Sequence, residues 1–281
     1  MLAQVILNGL VTGLIYVLVA LGLAVVFSIG GVLNFAHGGM CMLGGFFLYG
    51  FFQQLGLYFP LALLLSSICV AVLAILIERI VVHRLLGEFQ GIVIAMLGLT
   101  LILSGGAMVI FGEQDKIIQS QSQGVMSLHG VYLSNEKLII AGLSIALMLG
   151  LYSFLKRTKI GQALRAVGQD SAAASYVGVD AAKYSTISFA IAGFLAGVAG
   201  ALVGVLFLVS PFMDMFFLLK GVTVIMIGGL GSMAGAVLGG LLLGTLESFT
   251  LTFIGPLGEL ITFAVLIVVI LFRPTGLLGH E

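Results

Sequence analysis

The 281-residue chain is 61% apolar and only 8% charged, with a mean hydropathy of +1.29. That balance excludes a water-soluble domain of this size, because most of its surface must face lipid. A formal net charge of zero excludes a global field suited to nucleic acid or to a strongly charged partner.

A membrane-crossing helix needs about 20 mainly apolar residues. Runs of that kind, bounded by polar or Gly/Pro punctuation, predict nine spans near 2–27, 36–54, 60–78, 90–112, 137–155, 184–209, 215–230, 233–254 and 257–272. The second and seventh are short and rich in glycine, as half-helices or re-entrant segments are, so the count lies between eight and ten. The expected fold is all-α, a polytopic membrane helix bundle forming one transmembrane domain over 1–281. Met1 to Phe27 has no Lys or Arg ahead of it and is too long for a signal-peptide core, so it is expected to remain as the first span. Cys41 and Cys69 lie inside apolar runs, where thiols act as small buried hydrophobes.

Lys156, Arg157, Lys159, Arg165 and Lys183 all fall in one connection, 156–183, which the positive-inside rule places in the cytoplasm. Counting spans from there puts Arg79 and Arg84 inside, the polar segment 113–136 outside, the N-terminus outside and the Arg273 tail in the cytoplasm. The external segment is too polar to span and too short for a domain, so it is expected to be a small hairpin or an irregular cap. Met42-Leu43-Gly44-Gly45 and Val237-Leu238-Gly239-Gly240 each follow a glycine-rich break, a pairing that would suit two related halves.

Three constellations stand out. Gly231, Gly235 and Gly239 recur every fourth residue, as do Gly193 and Gly197 in the sixth span, so each series makes a groove on one helix face. Such grooves serve plain bundle packing, and they equally suit helices that slide during transport. Asn34-Phe35-Ala36-His37-Gly38-Gly39 is a polar break between apolar runs, in which Asn34 is expected to cap the next helix and His37 to sit in its first turn. His83, His129 and His280 are scattered, so His37 has no partners for a metal. The basic connection reads as two short helices: one ends at Gly168, the next is capped by Asp170 and stops at Gly178, and Asp180 caps the sixth span. Helices this short are not stable alone and are expected to gain order by docking on something in the cytoplasm.

At this point the chain resembles the branched-chain amino acid permease family of ABC importers. The resemblance rests on Asn34-Phe35-Ala36-His37-Gly38, on Arg165-Ala166 with Gln169-Asp170 and Gly178-Val179-Asp180, on Gly228-Gly229-Leu230-Gly231-Ser232 with Gly235 and Gly239-Gly240, and on Phe272-Arg273-Pro274-Thr275-Gly276-Leu277-Leu278-Gly279. It implies a permease subunit of a bacterial inner membrane that pairs with a second related permease, two ATP-binding cassette subunits and an external solute-binding protein. It further implies an ATPase-coupling segment carrying Gly161, Arg165, Ala166, Gln169, Asp170, Gly178 and Asp180. The family often has an acidic residue after His-Gly where this chain has Gly39, and related permeases carry urea, short amides or aromatic acids, so the cargo is less defined than the transport class.

The chain has no Gly-x-x-x-x-Gly-Lys-Ser/Thr phosphate loop, so no cofactor is expected in it and ATP would be bound by partner subunits. An ion-coupled carrier would show several intramembrane acids, whereas Glu247 alone lies mid-span, with Asp214 and Lys220 near an outer end. A passive channel with two Asn-Pro-Ala half-helices lacks its second element, and no nucleophile has a base beside it, so neither a channel nor an enzyme is favoured. Asn34, His37, Gly229, Gly231 and Ser232 are the expected lining of a translocation path, and the expected cargo is a branched-chain amino acid.

Overall fold

A computed structural model describes residues 1–31, 33–85, 87–119, 124–128, 131–273 and 276–278. His129 and His280 lie outside the described residues. Among the described residues six helical stretches are long and apolar enough to cross a membrane: Leu2–Gly30, Phe59–Leu85, Phe89–Phe111, Asn135–Arg157, Ala181–Leu206 and Met233–Val269. The fold is therefore an all-α polytopic bundle.

In chain order the helices are α1 (Leu2–Gly30), α2 (His37–Leu48, continued by a π-helical turn Tyr49–Gln54), α3 (Phe59–Ile77) and α4 (Phe89–Phe111). They continue with α5 (Asn135–Arg157), α6 (Lys159–Gln169), α7 (Ser171–Tyr176), α8 (Ala181–Leu206), α9 (Asp214–Gly228), α10 (Met233–Ile254) and α11 (Gly258–Phe272). The last two follow one another through a single 3-10 turn at Gly255–Leu257, which is why they count as one apolar stretch. α2 and α9, at 12 and 15 residues, are shorter than the long helices that flank each of them in the chain.

α1 is apolar on every side and buried almost without interruption from Ile15 to Val26, as a helix enclosed by others must be. Its most extensive packing is on α10, and that of α3 is on α8. The two halves share a succession of long, short and long helix, α1-α2-α3 and α8-α9-α10, and these pairings are reciprocal. Exchanging the halves converts α1 on α10 into α8 on α3, as a two-fold relation between repeats does. The counterpart of α2 is thus α9, so Gly44-Gly45 in α2 and Gly239-Gly240 in α10 do not occupy equivalent elements.

Glycine sets the helix separations. A Cβ on Gly193 would come within 2.9 Å of the Val70 carbonyl oxygen, and one on Gly197 within 2.7 Å of Ser67 Cα, so α8 lies directly on the α3 backbone. A Cβ on Gly200 would occupy the place of the Cys41 carbonyl. On α10, Gly235 and Gly239 face the end of α9 at Gly228 and Val224, while Gly240 and Gly244 face α1 at Val17 and Gly13. In lipid such close approach supplies the dispersion contacts that replace a hydrophobic driving force between helices.

The polar segment does form a hairpin, with β1 (Val125–Leu128) antiparallel to β2 (Val131–Ser134). The Gln4 side chain donates to the Tyr132 carbonyl at 2.8 Å and accepts from the Tyr132 N–H at 2.7 Å, which ties the hairpin to the start of α1. At the other end of α1, Gly168 packs on the Ser28 carbonyl. The β1–β2 hairpin and the 156–183 connection therefore lie at opposite ends of the bundle.

Replacing Gly235 by Leu drives a side chain into the Gly228 backbone, and overpacking of this kind costs about 1–3 kcal/mol. The expected outcome is a lowered thermal midpoint and loss of monodisperse protein in detergent, read by gel filtration after heating. Leu260→Val, at a position 66% exposed, should leave both unchanged.

Candidate translocation site and coupling surface

The break between α1 and α2 is organised by Asn34, which is 2% exposed. Its side-chain oxygen accepts from the Ala36 N–H at 3.1 Å, and its carbonyl accepts from the His37 N–H at 3.1 Å. The residue at the helix boundary is Ala36, which offers no side-chain cap, so Asn34 closes a turn two residues earlier than expected. Thr100 of α4 donates to the Phe35 carbonyl at 3.1 Å and fixes the turn from the side.

His37 does stand at the first position of α2, with no exposure to solvent. Its Nε2 is 3.0 Å from the Val19 carbonyl oxygen, and its Nδ1 has no hydrogen-bond partner among the described residues. The ring fits there because α1 has Gly22 beneath it, where a Cβ would approach Cε1 to 2.7 Å. α2 consequently begins beside the middle of α1. Gly38 meets the Asp214 carbonyl, so the first turns of the two short helices abut, and Ser104 of α4 donates to Asp214 Oδ2 at 2.6 Å.

Gly229, Gly231 and Ser232 form the α9–α10 turn, where Ser232 Oγ accepts from the Gly235 N–H at 3.0 Å and so caps α10. Gly231 lies near Phe27 and Ser28. Phe27 is eight residues further along α1 than Val19, a helix rise of about 12 Å, so this turn and His37 are not one constellation. The C-terminal motif has a structural task at the turn. Leu277 and Leu278 N–H donate to the Ile227 and Gly228 carbonyls at 2.8 and 2.9 Å, satisfying acceptors that a helix end leaves open. Gly276 permits this through φ 79° and its contact with the Gly229 backbone.

Two charged residues within the bundle, Lys220 of α9 and Glu247 of α10, are paired, while Glu78 accepts from Thr186 Oγ1 at 2.7 Å. Lys220 is 1% exposed, not near an accessible outer end, and its Nζ lies 2.9 Å from Glu247 Oε1. The contact is an ion pair whose geometry is not aligned as a hydrogen bond. Rings of Tyr16, Phe216 and Phe263 surround the ammonium at 5.8, 5.0 and 5.6 Å. Sequence showed the two charges but not their pairing, because no local spacing relates α9 to α10.

The 156–183 connection is ordered as expected from its caps. Gly161 N–H donates to Thr158 Oγ1 at 3.0 Å, Ala173 N–H to Asp170 Oδ1 at 2.9 Å and Lys183 N–H to Asp180 Oδ1 at 3.2 Å. α6 runs one residue past Gly168, α7 ends at Tyr176, and Gly178 has φ 84° at the stop. Part of the order comes from the chain's own bundle, which the sequence reading missed. Gly161 packs on the backbone of Phe154 and Leu155, and Leu164 and Val167 are 2% and 3% exposed. Arg165, Gln169, Asp170, Gly178 and Asp180 remain exposed and Ala166 is half-buried, so a fixed polar surface projects from the bundle end.

A sequence model of the family described as the branched-chain amino acid transport system permease component matches residues 5–270. The chain is 32% identical to the high-affinity branched-chain amino acid transport system permease protein BraD of Pseudomonas aeruginosa, over 99% of this chain and 95% of that one. It is 27% identical to the corresponding permease protein LivH of Escherichia coli K12, with the same coverage of both chains. Among solved structures it is similar to PsaBC from Streptococcus pneumoniae in complex with Fab, with a TM-score of 0.53, 16% identity, and coverage of 95% of this chain and 91% of that one. That likeness concerns the fold.

Docking of α6 is testable in a Cys41→Ser/Cys69→Ser background carrying Leu164→Cys. The thiol should react slowly with maleimide in otherwise wild-type protein. Adding Gly161→Leu should push α6 off α5 and raise the rate by about tenfold or more, as expected if overpacking of more than 1 kcal/mol opens the contact.

Proposed function

This chain belongs to the family of branched-chain amino acid transport system permease components, and on that premise we propose that it is the membrane-spanning subunit of an ATP-driven importer for branched-chain amino acids. It resides in the bacterial cytoplasmic membrane as a multi-pass protein. It works with a second related permease, two ATP-binding cassette subunits and an external solute-binding protein. ATP is bound by the partner subunits and not by this chain.

The observation that carries the reading is the α6–α7 surface. Its buried face is locked to the ends of α5 and α1 through Gly161, Leu164, Val167 and Gly168, while Arg165, Gln169 and Asp170 project outward. A load applied to the exposed face passes into the bundle without first bending a loose loop. Closure of the ATP-binding subunits would shift α6 and, with it, α5 and α8, opening the path between the paired permeases to alternate sides. The short helices α2 and α9, abutting at Gly38 and Asp214, are the elements whose relative position such a tilt would change.

The proposed topology has nine crossings, with α2 and α9 counted among them, an external N-terminus and a cytoplasmic C-terminus. It is supported by the hairpin and the basic connection lying at opposite ends of the bundle. In a Cys41→Ser/Cys69→Ser background, Glu113→Cys should react with an impermeant maleimide added to intact cells and Ser171→Cys should not. Reaction of Ser171→Cys from outside would reverse the orientation.

The coupling role makes a separate prediction. On a solvated connector, reversing an exposed charge changes stability by about 0–1 kcal/mol. At a partly desolvated contact with an ATPase, Arg165→Glu should cost on the order of 2–5 kcal/mol of association, and Asp170→Lys should also remove a cap contributing about 1 kcal/mol. Both variants should insert normally, fail to retain the ATP-binding subunits in pull-downs and lose substrate-stimulated ATP hydrolysis. Wild-type recovery and stimulation in both would refute the coupling role.

A further inference from the structure

A groove of about 550 Å³ is lined by α5, α10 and α1, with α6 at one end. Leu21 of α1 is buried, whereas Leu149 of α5, at 56%, and Leu238 of α10, at 47%, stay exposed, so the groove opens along the side of the bundle. Lys156, in the last turn of α5, and Arg165 of α6 line it at the bundle end. Met233 and Ala234, the first residues of α10, line it at that same end, because Gly231 just before them lies near Phe27 and Ser28, and Gly168 of α6 packs on Ser28. Met148 precedes Lys156 by eight residues on α5 and Leu21 precedes Ser28 by seven on α1, so the groove runs about 10–12 Å inward from the bundle end. Its deeper lining, Leu21, Met148, Leu149, Leu151, Val237 and Leu238, is wholly apolar.

The shallow end is cationic. Lys156 Nζ donates to the Tyr152 hydroxyl at 3.1 Å and stands 5.4 Å from the centre of that ring, so the ammonium is held beside the groove. No acid lines the groove, and neither Lys156 nor Arg165 has an ion-pair partner among the described residues. The start of α10 adds the positive end of a helix dipole at the same place. A helix of a neighbouring membrane subunit matches the apolar part alone. An anionic lipid matches both parts, because its charged headgroup stays at the membrane surface while its hydrocarbon chain runs inward.

We propose that this groove binds an anionic phospholipid of the cytoplasmic leaflet, with its phosphate at Lys156 and Arg165 and an acyl chain along Leu149, Val237 and Leu238. Bound there, the lipid ties α6 to α5 and α10, and so braces the segment that carries the proposed coupling surface. The inference goes beyond the importer reading and uses nothing about the cargo. Only the choice of leaflet rests on the proposed orientation.

The chain has no tryptophan, so Leu149→Trp in the assembled complex adds one emitter, read as the difference from the wild-type complex. The complex is reconstituted in mixed vesicles in which either phosphatidylglycerol or phosphatidylcholine carries brominated, fluorescence-quenching chains. Phosphatidylglycerol should reach half-maximal quenching of Leu149→Trp at a mole fraction about fivefold or more below that of phosphatidylcholine, the ratio expected of a basic side chain beside an anionic headgroup. Ile94→Trp, at an exposed position on α4, should show no such preference. Adding Lys156→Gln to Leu149→Trp should remove most of the preference. Equal quenching of Leu149→Trp by the two lipids, or a preference undiminished by Lys156→Gln, overturns the site. Quenching by neither lipid would mean that a protein partner covers the groove, and overturns it as well. If Leu149→Trp does not assemble, Leu238→Trp on α10 reports on the same groove and is judged by the same outcomes. Failure of the complex to carry leucine would refute the cargo reading and leave this site standing.

Discussion

Close approach of helix backbones is the constraint from which the other features follow. In lipid every backbone polar group must be satisfied inside the protein, and helices hold together by packing and not by exclusion of water. Two glycines of α8, Gly197 packed against α3 and Gly200 packed against α2, bring three helices to a separation that any side chain would prevent. Because α8 is held this closely, α2 begins in the interior, with His37 against Val19 and Gly22, instead of at a membrane surface. The same logic at Gly235, Gly239, Gly240 and Gly244 seats α10 on both α9 and α1.

Two short helices that start inside the bundle create polar ends where lipid-facing structure could not tolerate them. The protein encloses those ends: Asn34 and Thr100 hold the turn before α2, Ser104 holds Asp214 at the start of α9, and the 276–278 segment covers the finish of α9. A charge pair, Lys220 with Glu247, is accommodated by aromatic rings within the bundle. These contacts concentrate polar chemistry around α9 and its neighbours, while α6 and α7 carry a polar surface at the bundle end.

Much of this was legible in the sequence because lipid imposes period and length on the chain. Apolar runs located the helices, the Lys/Arg cluster located the basic connection, and Asp170, Gly178 and Asp180 marked its turns through local hydrogen bonding. What escaped depends on distant segments meeting. Asn34 reads as a cap locally, yet Ala36 stands at the boundary because the turn is held by Thr100, 65 residues away. Val237-Leu238-Gly239-Gly240 looks like a partner of the first glycine break, but the succession of helices makes α9 the partner of α2. The docked face of α6 was missed because Gly161 matters through its contact with Phe154 and Leu155, and a lone glycine in a short helix carries no such signal. The pairing of Glu247 with Lys220 likewise depends on α9 and α10 meeting.

The most direct measurement of the central claim is leucine uptake into proteoliposomes containing this chain, its partner permease and the ATP-binding subunits, with the solute-binding protein added outside. The account predicts accumulation that requires ATP inside the vesicles and persists when proton and sodium gradients are dissipated. Accumulation driven by an ion gradient with this chain alone, and without any ATP-binding subunit, would contradict it.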